Sequence, residues 1–260
     1  MTAPVNAVWA EFMKVKNSKI VMVTFGLFVF IPLMMGLMIY IVRNPELSEK
    51  LGLIAAKASL FGSADGPAFL GLINQLIATV GLIGFGFVTA WVFGREHHDK
   101  TMKDILALPV SRTLIVLAKC IVVFCWCLSL MIILFITAVA VGYLGDIEGW
   151  STSLISQGAV KYLITGLLTI TLCTPVAFMA GYGRGIIAAL GFVIITLIMS
   201  QFLAVAGLGA YFPWAIPGLY TVPSGTPGME LYPASGVILF LTSLIGLLAT
   251  IYWWKTADHH

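Results

Sequence analysis

Charged residues are scarce in this sequence. Only 10% of its 260 residues are Asp, Glu, Lys or Arg, whereas 60% are hydrophobic. Soluble domains rarely exceed about half apolar residues, so this composition excludes a substantial soluble domain. The net charge of +3 is too small to indicate a nucleic-acid partner. We therefore expect an all-α polytopic membrane protein.

Motifs for disulfide, metal or nucleotide chemistry are also missing. The sequence has four cysteines, all in apolar runs, which argues against a disulfide framework. Cys125 and Cys127 have no histidine or acid near them in sequence, so helix packing explains them better than a metal site. No GxxxxGK[ST] motif occurs, and no Gly-Lys pair at all. We predict no catalytic residue, no metal site and no cofactor, and this chain is not expected to be an enzyme.

No acid lies in the middle of any long apolar run. Proton-driven transporters usually carry such a group, because an intramembrane charge is costly and tends to be functional. The sequence therefore argues against a proton antiporter and, less strongly, against an inorganic-ion path. The polar candidates for a pathway are neutral amides, and they are Asn74, Gln75 and Gln201. A buried amide needs partners, so these residues either line a path or hold helices together.

Six apolar runs reach the ~20 residues that cross a bilayer. We predict spans at 20–42, 68–94, 113–143, 159–181, 186–207 and 236–254. Before them, residues 1–19 carry an apolar stripe of Val8, Trp9, Phe12 and Val15, with Glu11 off it. This pattern predicts an interfacial amphipathic helix. Residues 20–260 would then form a single transmembrane domain.

Basic residues set the expected orientation. With the N-terminus inside, ten Lys and Arg lie in or near cytoplasmic segments and four in outside segments. This asymmetry predicts cytoplasmic N- and C-termini for a multi-pass protein of the cell membrane. Between spans five and six, five prolines forbid a regular helix through 208–235. That segment is too apolar for a solvated loop, so we expect a broken re-entrant or interfacial lid.

The charge that the sequence does contain is concentrated in one stretch. Residues 95–112 carry seven formal charges and two histidines. Asp99 or Thr101 can cap a short amphipathic helix, Pro109 ends it, and Ser111 can cap span three. A solvated loop obeying the positive-inside rule remains an alternative. The capped helix, the mixed charge and the proline favour a docking surface instead.

Within this stretch, REHHDKT at 95–101 and ILALPVSR at 105–112 resemble the E…(D/G)-(K/R/G)-T…LLxxPxSR signature of ABC-2 type permeases. The six-span architecture extends the resemblance to the short permeases of bacitracin-export and lantibiotic-immunity type. In that family, the loop between spans two and three docks into a separate ATP-binding subunit. The resemblance implies a coupling helix at about 96–109. The implied docking residues are Glu96, His97, Asp99, Lys100, Lys103, Asp104, Leu108 and Pro109.

The resemblance also implies partners and a task. Two copies of an ABC ATPase would bind ATP and Mg²⁺, and a second permease copy or a related permease would complete the membrane part. Membrane lipid would surround it, and no nucleic acid is involved. The expected task is export of a hydrophobic or amphipathic molecule, such as an antimicrobial peptide or a lipid-like compound. The alternatives are a gradient-driven transporter or channel, and a membrane assembly factor.

Overall fold

The computed structural model describes most of the chain as helix. The described residues are 3–44, 46, 65–99, 101, 110–223 and 225–256. The structure is 84% helical, and these ranges contain no β-strand. The all-α prediction is therefore confirmed.

Nine α-helices occur within the described ranges. In chain order, α1 to α9 are Ala3–Lys16, Lys19–Arg43, Gly66–His98, Arg112–Leu144, Thr152–Thr171, Cys173–Tyr182, Ile186–Val205, Ile216–Thr221 and Pro233–Thr256. Six segments are long and apolar enough to cross a membrane, with α5 and α6 forming one of them. The six predicted spans are thus confirmed. The fourth starts at Thr152, earlier than predicted, because the Ser151 hydroxyl accepts from Leu154 N at 3.3 Å and caps the helix there.

Polar caps explain where several of the other long helices begin. Ser18 caps α2 by accepting from Ile20 N at 3.2 Å, and Asp65 caps α3 by accepting from Ala68 N at 2.9 Å. Ser111 caps α4 by accepting from Leu114 N at 3.3 Å, which confirms its predicted role. Such side chains satisfy backbone N–H groups that have no partner within the helix.

The central helix of the bundle is α3. Two-thirds of its most apolar window is buried inside the chain, compared with about a fifth for α2, α7 and α9. Glycines allow its neighbours to approach closely. A Cβ at Gly84 would lie 2.5 Å from the Phe28 ring of α2, and one at Gly86 would lie 2.6 Å from Val193 of α7. Because α2, α7 and α9 leave most of their apolar surface outside the chain, lipid or another polypeptide must cover the outer faces of these peripheral helices.

The segment between α7 and α9 is broken, as its prolines predict. It contains a 3₁₀ turn at Gly209–Tyr211 and the short helix α8. Ile216 and Leu219 are buried, and the Trp214 ring packs edge-on against Phe192 at 5.4 Å. This segment therefore covers one end of the bundle instead of extending into solvent.

The two ends of the bundle are named as follows. The far end is the end that this segment covers, where α2 ends and α3 begins. The near end is the end that carries α1.

Candidate functional site

A buried charge cluster joins three helices at the near end. Lys119, two turns into α4, is fully buried. Its Nζ donates to Glu96 Oε1 of α3 at 2.6 Å and to Glu11 Oε2 of α1 at 2.9 Å. A third hydrogen bond runs to the Val92 carbonyl at 3.2 Å. All three ammonium protons of this lysine can therefore be used within the protein.

A second lysine makes the cluster electrically neutral. Lys14 of α1 donates to Glu11 Oε1 at 2.5 Å and to Glu96 Oε1 at 3.1 Å. Only 6% of Glu11 and 1% of Glu96 are exposed. Two cations thus face two carboxylates, and this pairing offsets the high cost of removing each charge from water. We call Glu11, Lys14, Glu96 and Lys119 the near-end cluster.

The cluster keeps its α1 members ionised. Burial by itself raises the pKa of Glu11, but Lys119 and Lys14 outweigh burial and hold that pKa below its usual value. Burial lowers the pKa of Lys14, yet Glu96 and Glu11 outweigh it and hold that pKa above its usual value. Both groups therefore carry their charges at neutral pH.

The first turns of α4 also bind the end of α9. Arg112 Nη1 donates to the carbonyls of Trp254 at 3.2 Å and Lys255 at 3.0 Å. These carbonyls lie in the last turn of α9, where helix carbonyls have no partner within the helix. The Lys119 ammonium lies 5.9 Å from the centre of the buried Trp254 ring. Four helices are thus joined around the start of α4.

The predicted docking residues divide into two groups. The structure describes Glu96, His97 and Asp99: Glu96 is in the near-end cluster, His97 is partly buried, and Asp99 is exposed beside Arg95 at 3.9 Å. Lys100, Lys103, Asp104, Leu108 and Pro109, with most of the predicted coupling helix, lie outside the described residues. The structure does fix both ends of this loop. Asp99 N donates to the Arg95 carbonyl at 2.8 Å where α3 ends, and Ser111 caps α4.

The three amides predicted for a pathway lie on two helices. Asn74 is 4% exposed, and it lines a cleft of about 560 Å³ at the far end together with the exposed Gln75. Gln201 is exposed on α7 and does not line this cleft. The structure therefore brings two of the three together. Within the described ranges, no group of three or more His, Cys, Asp or Glu side chains could hold a metal ion.

Three members of the near-end cluster have no motif that predicts their contacts. The charge pattern identifies Lys14 and Lys119 only as cytoplasmic cations, and Glu11 lies off the apolar stripe of α1. In the structure, Glu11 and Val15 face the bundle, whereas Trp9 and Phe12 are exposed. One signal was present in the sequence. Lys119 lies inside an apolar span, and an ionisable residue there predicts a buried partner.

Six apolar spans define a multi-pass helical membrane protein, and its buried, electrically neutral charge cluster lies where α1, α3 and α4 meet. The family model described as "ABC-2 family transporter protein" matches residues 7–201. The chain therefore belongs to the ABC-2 transporter family, as the loop motif indicated. It is a transport subunit of permease type, in a family whose permeases work with an ABC ATPase subunit.

A named relative supports the same family. The bacitracin transport permease protein BCRB of Bacillus licheniformis is 28% identical to this chain over 186 residues. The match covers 71% of this chain and 88% of the relative. It includes most of the membrane domain, so the similarity is not confined to the loop motif.

Proposed function

We propose that this chain is the permease subunit of an ATP-driven exporter whose two ATPase copies are separate polypeptides that carry ATP and Mg²⁺. The near end would be cytoplasmic. Among the described residues, eight Lys and Arg lie at the near end and only Arg43 and Lys161 at the far end. Cytoplasmic ends of spans carry such an excess of basic residues. This orientation places the 95–112 loop where an ATPase could reach it.

The near-end cluster is the observation that carries this proposal. Helix α3 ends at His98, two residues after Glu96, and α4 begins at its cap Ser111, eight residues before Lys119. Because the Glu96 and Lys119 side chains are bonded to each other and to α1, a force on the loop would move α1, α3 and α4 together. In this proposal, Glu96 anchors the α3 end of the loop by accepting hydrogen bonds from Lys14 and Lys119. The exposed Asp99 would contact the ATPase.

The remaining predicted docking residues belong to the same proposed surface. They are His97, Lys100, Lys103, Asp104, Leu108 and Pro109. Mixed charge on such a surface would select the partner and its register more than it would raise affinity. The exposed apolar faces of the peripheral helices fit a second permease copy or a related permease alongside lipid.

The proposed cargo is a hydrophobic or amphipathic molecule, with a peptide antibiotic of the bacitracin type as the leading candidate. The name of the relative suggests this class. The path would be lined by the amides Asn74, Gln75 and Gln201. Neutral amides can hydrogen-bond a cargo that carries no charge. A gradient-driven transporter is the alternative, and it predicts transport without any ATPase subunit.

Co-expression with candidate ABC ATPase subunits tests the docking proposal. Asp99→Lys combined with Lys103→Glu should lower both recovery of the complex and its ATP hydrolysis about tenfold, because unlike charges at the contact become like charges. The matched control is Arg43→Glu at the far end, which should change neither quantity. An unchanged complex with unchanged ATP hydrolysis in the double variant would contradict the docking role.

A further inference from the structure

A polar cleft at the far end lies between α3 and α5. It is lined by Asn74, Gln75, Gln157 and Lys161, with Leu70, Leu72 and Leu154 forming an apolar wall and residues 221–223 along one edge. A second cleft of about 670 Å³ lies on the other side of Lys161 and shares its lining with the first. The two clefts meet at Lys161, which is their shared cation. The second cleft is also lined by Glu230, an exposed carboxylate that accepts a hydrogen bond from Tyr232 OH at 3.3 Å and forms no salt bridge with Lys161.

Lys161 differs from the other described cation of the far end. Arg43 Nη2 lies 3.6 Å from Glu148, and Arg43 Nη1 donates to two backbone carbonyls. Lys161 is partly buried, and its Nζ donates to the Thr221 carbonyl at 2.8 Å. It forms no salt bridge with any residue that the structure describes. A partly desolvated ammonium without a counter-charge attracts an anion.

A second unsatisfied polar group lines the same cleft. The Asn74 side chain is 4% exposed, and its Oδ1 has no hydrogen-bond partner among the described residues. A buried polar atom without a partner costs about 1–3 kcal/mol. The exposed amides of Gln75 and Gln157 add further donors and acceptors along the cleft. A ligand that carries an anionic group for Lys161 and a hydroxyl group that donates to Asn74 Oδ1 would satisfy both groups together.

The depth of Lys161 matches the membrane interface. The span formed by α5 and α6 has 31 residues, a length of about 46 Å, whereas the hydrocarbon layer is about 30 Å thick. A centred span would therefore project about 8 Å beyond the hydrocarbon at each end. Lys161 lies about 14 Å from the start of α5, which is about 6 Å inside that boundary. From there its ammonium can extend to the level of lipid phosphates.

We propose that this cleft binds an anionic phospholipid of the far-end leaflet. Its phosphate would accept hydrogen bonds from the Lys161 ammonium and from nearby amide N–H groups, and a headgroup hydroxyl would donate to Asn74 Oδ1. An acyl chain would lie along the leucine wall. The observations favour a lipid over a free phosphate ion because the cleft is bounded by apolar side chains and opens at membrane depth. This site shares Asn74 and Gln75 with the proposed cargo path, but its lipid binding does not depend on the proposed ATPase or on the direction of transport.

Lipid binding to the purified full chain tests the proposal. Native mass spectrometry in detergent would compare phosphatidylglycerol with diacylglycerol, which has the same chains but no phosphate. We expect preferential retention of phosphatidylglycerol. Lys161→Gln should weaken its binding about tenfold, because it removes one charge-assisted contact. Lys161→Arg should preserve binding, and so should the matched control Arg43→Gln.

The same experiment separates the alternatives. Inorganic phosphate at millimolar concentration should not displace the lipid; if it does, the site binds free phosphate and the proposal fails. Equal retention of diacylglycerol, or unchanged binding in Lys161→Gln, would also overturn it. Gln157→Leu provides a second variant at an exposed position, should Lys161→Gln not be recovered as a monodisperse protein. It should lower phosphatidylglycerol retention and leave that of diacylglycerol unchanged.

Discussion

The buried and partly buried lysines at the two ends of this bundle have different partners. At the near end, two lysines and two glutamates are buried together, and every ammonium has carboxylate partners within 3.1 Å. At the far end, Lys161 has only a backbone carbonyl and Asn74 has an unpaired amide oxygen among the described residues. The near-end charges are thus paired within the chain, although Glu96 Oε2 has no hydrogen-bond partner among the described residues. The far end can gain contacts from a ligand.

The difference also separates structural from binding roles. Removing one member of a neutral buried cluster is strongly destabilising, because the charge left behind has neither a counter-charge nor solvent around it. A partly buried cation without a counter-charge contributes little to stability and is free to bind. We therefore expect substitutions in the near-end cluster to destabilise the protein and a substitution at Lys161 to change what it binds.

The largest expected effect follows from removing the central lysine of the near-end cluster. Lys119→Met should lower the free energy of unfolding by about 3–5 kcal/mol, because two carboxylates lose their buried counter-charge. Denaturant unfolding in detergent, followed by tryptophan fluorescence, would measure it. Adding Glu11→Gln and Glu96→Gln should restore much of the loss. If Lys119→Met alone is as stable as the parent, Lys119 does not stabilise the near-end cluster as proposed.

A smaller, pH-dependent effect should come from Glu11. Its pKa is held below the usual 4.5, so its stabilisation is fully present above that value and is lost as pH falls through the lowered pKa. The pKa of Lys14 is raised above 10.5, so its contribution is complete below that pH and is lost only as pH rises through the raised value. We expect melting temperature to fall below about pH 4.5 in the parent and less steeply in Glu11→Gln.

Melting curves between pH 3 and pH 7 would measure this difference. Arg43→Gln at the far end is the control, because it leaves the near-end cluster intact and should keep the steep acid limb of the parent. Identical acid limbs in the parent and in Glu11→Gln would show that Glu11 carries no shifted pKa.

Local signals account for what the sequence predicted. Apolar run length located all six spans, five prolines predicted the broken segment before α9, and Ser111 was identified as the cap of α4. Each feature depends on residues that are close in sequence. The motif at 95–112 likewise pointed to the ABC-2 family, which the match over residues 7–201 confirms.

The features that the sequence did not predict depend on contacts between residues that are far apart in the chain. Lys119 and Glu11 are 108 residues apart, and no spacing rule predicts such a contact. Glu96 was predicted to face an ATPase, and the structure shows its side chain bonded to Lys14 and Lys119. Its proposed docking role stays a prediction. The unmatched Lys161 could not be recognised either, because its environment depends on where α8 and the segment after it pack.

The smallest stability effect should come from the far-end lysine. Lys161→Met should lower the free energy of unfolding by only about 1–2 kcal/mol, because it loses the hydrogen bond to the Thr221 carbonyl but no salt bridge among the described residues, and the long apolar side chain is retained. The measurement is the same denaturant series used for Lys119→Met, with lipid removed by repeated detergent exchange. Added phosphatidylglycerol should raise the stability of the parent and not that of the variant, since only the parent keeps the phosphate contact. If Lys161→Met proves as damaging as Lys119→Met without lipid, the far-end lysine has a structural role and the contrast between the two ends is wrong.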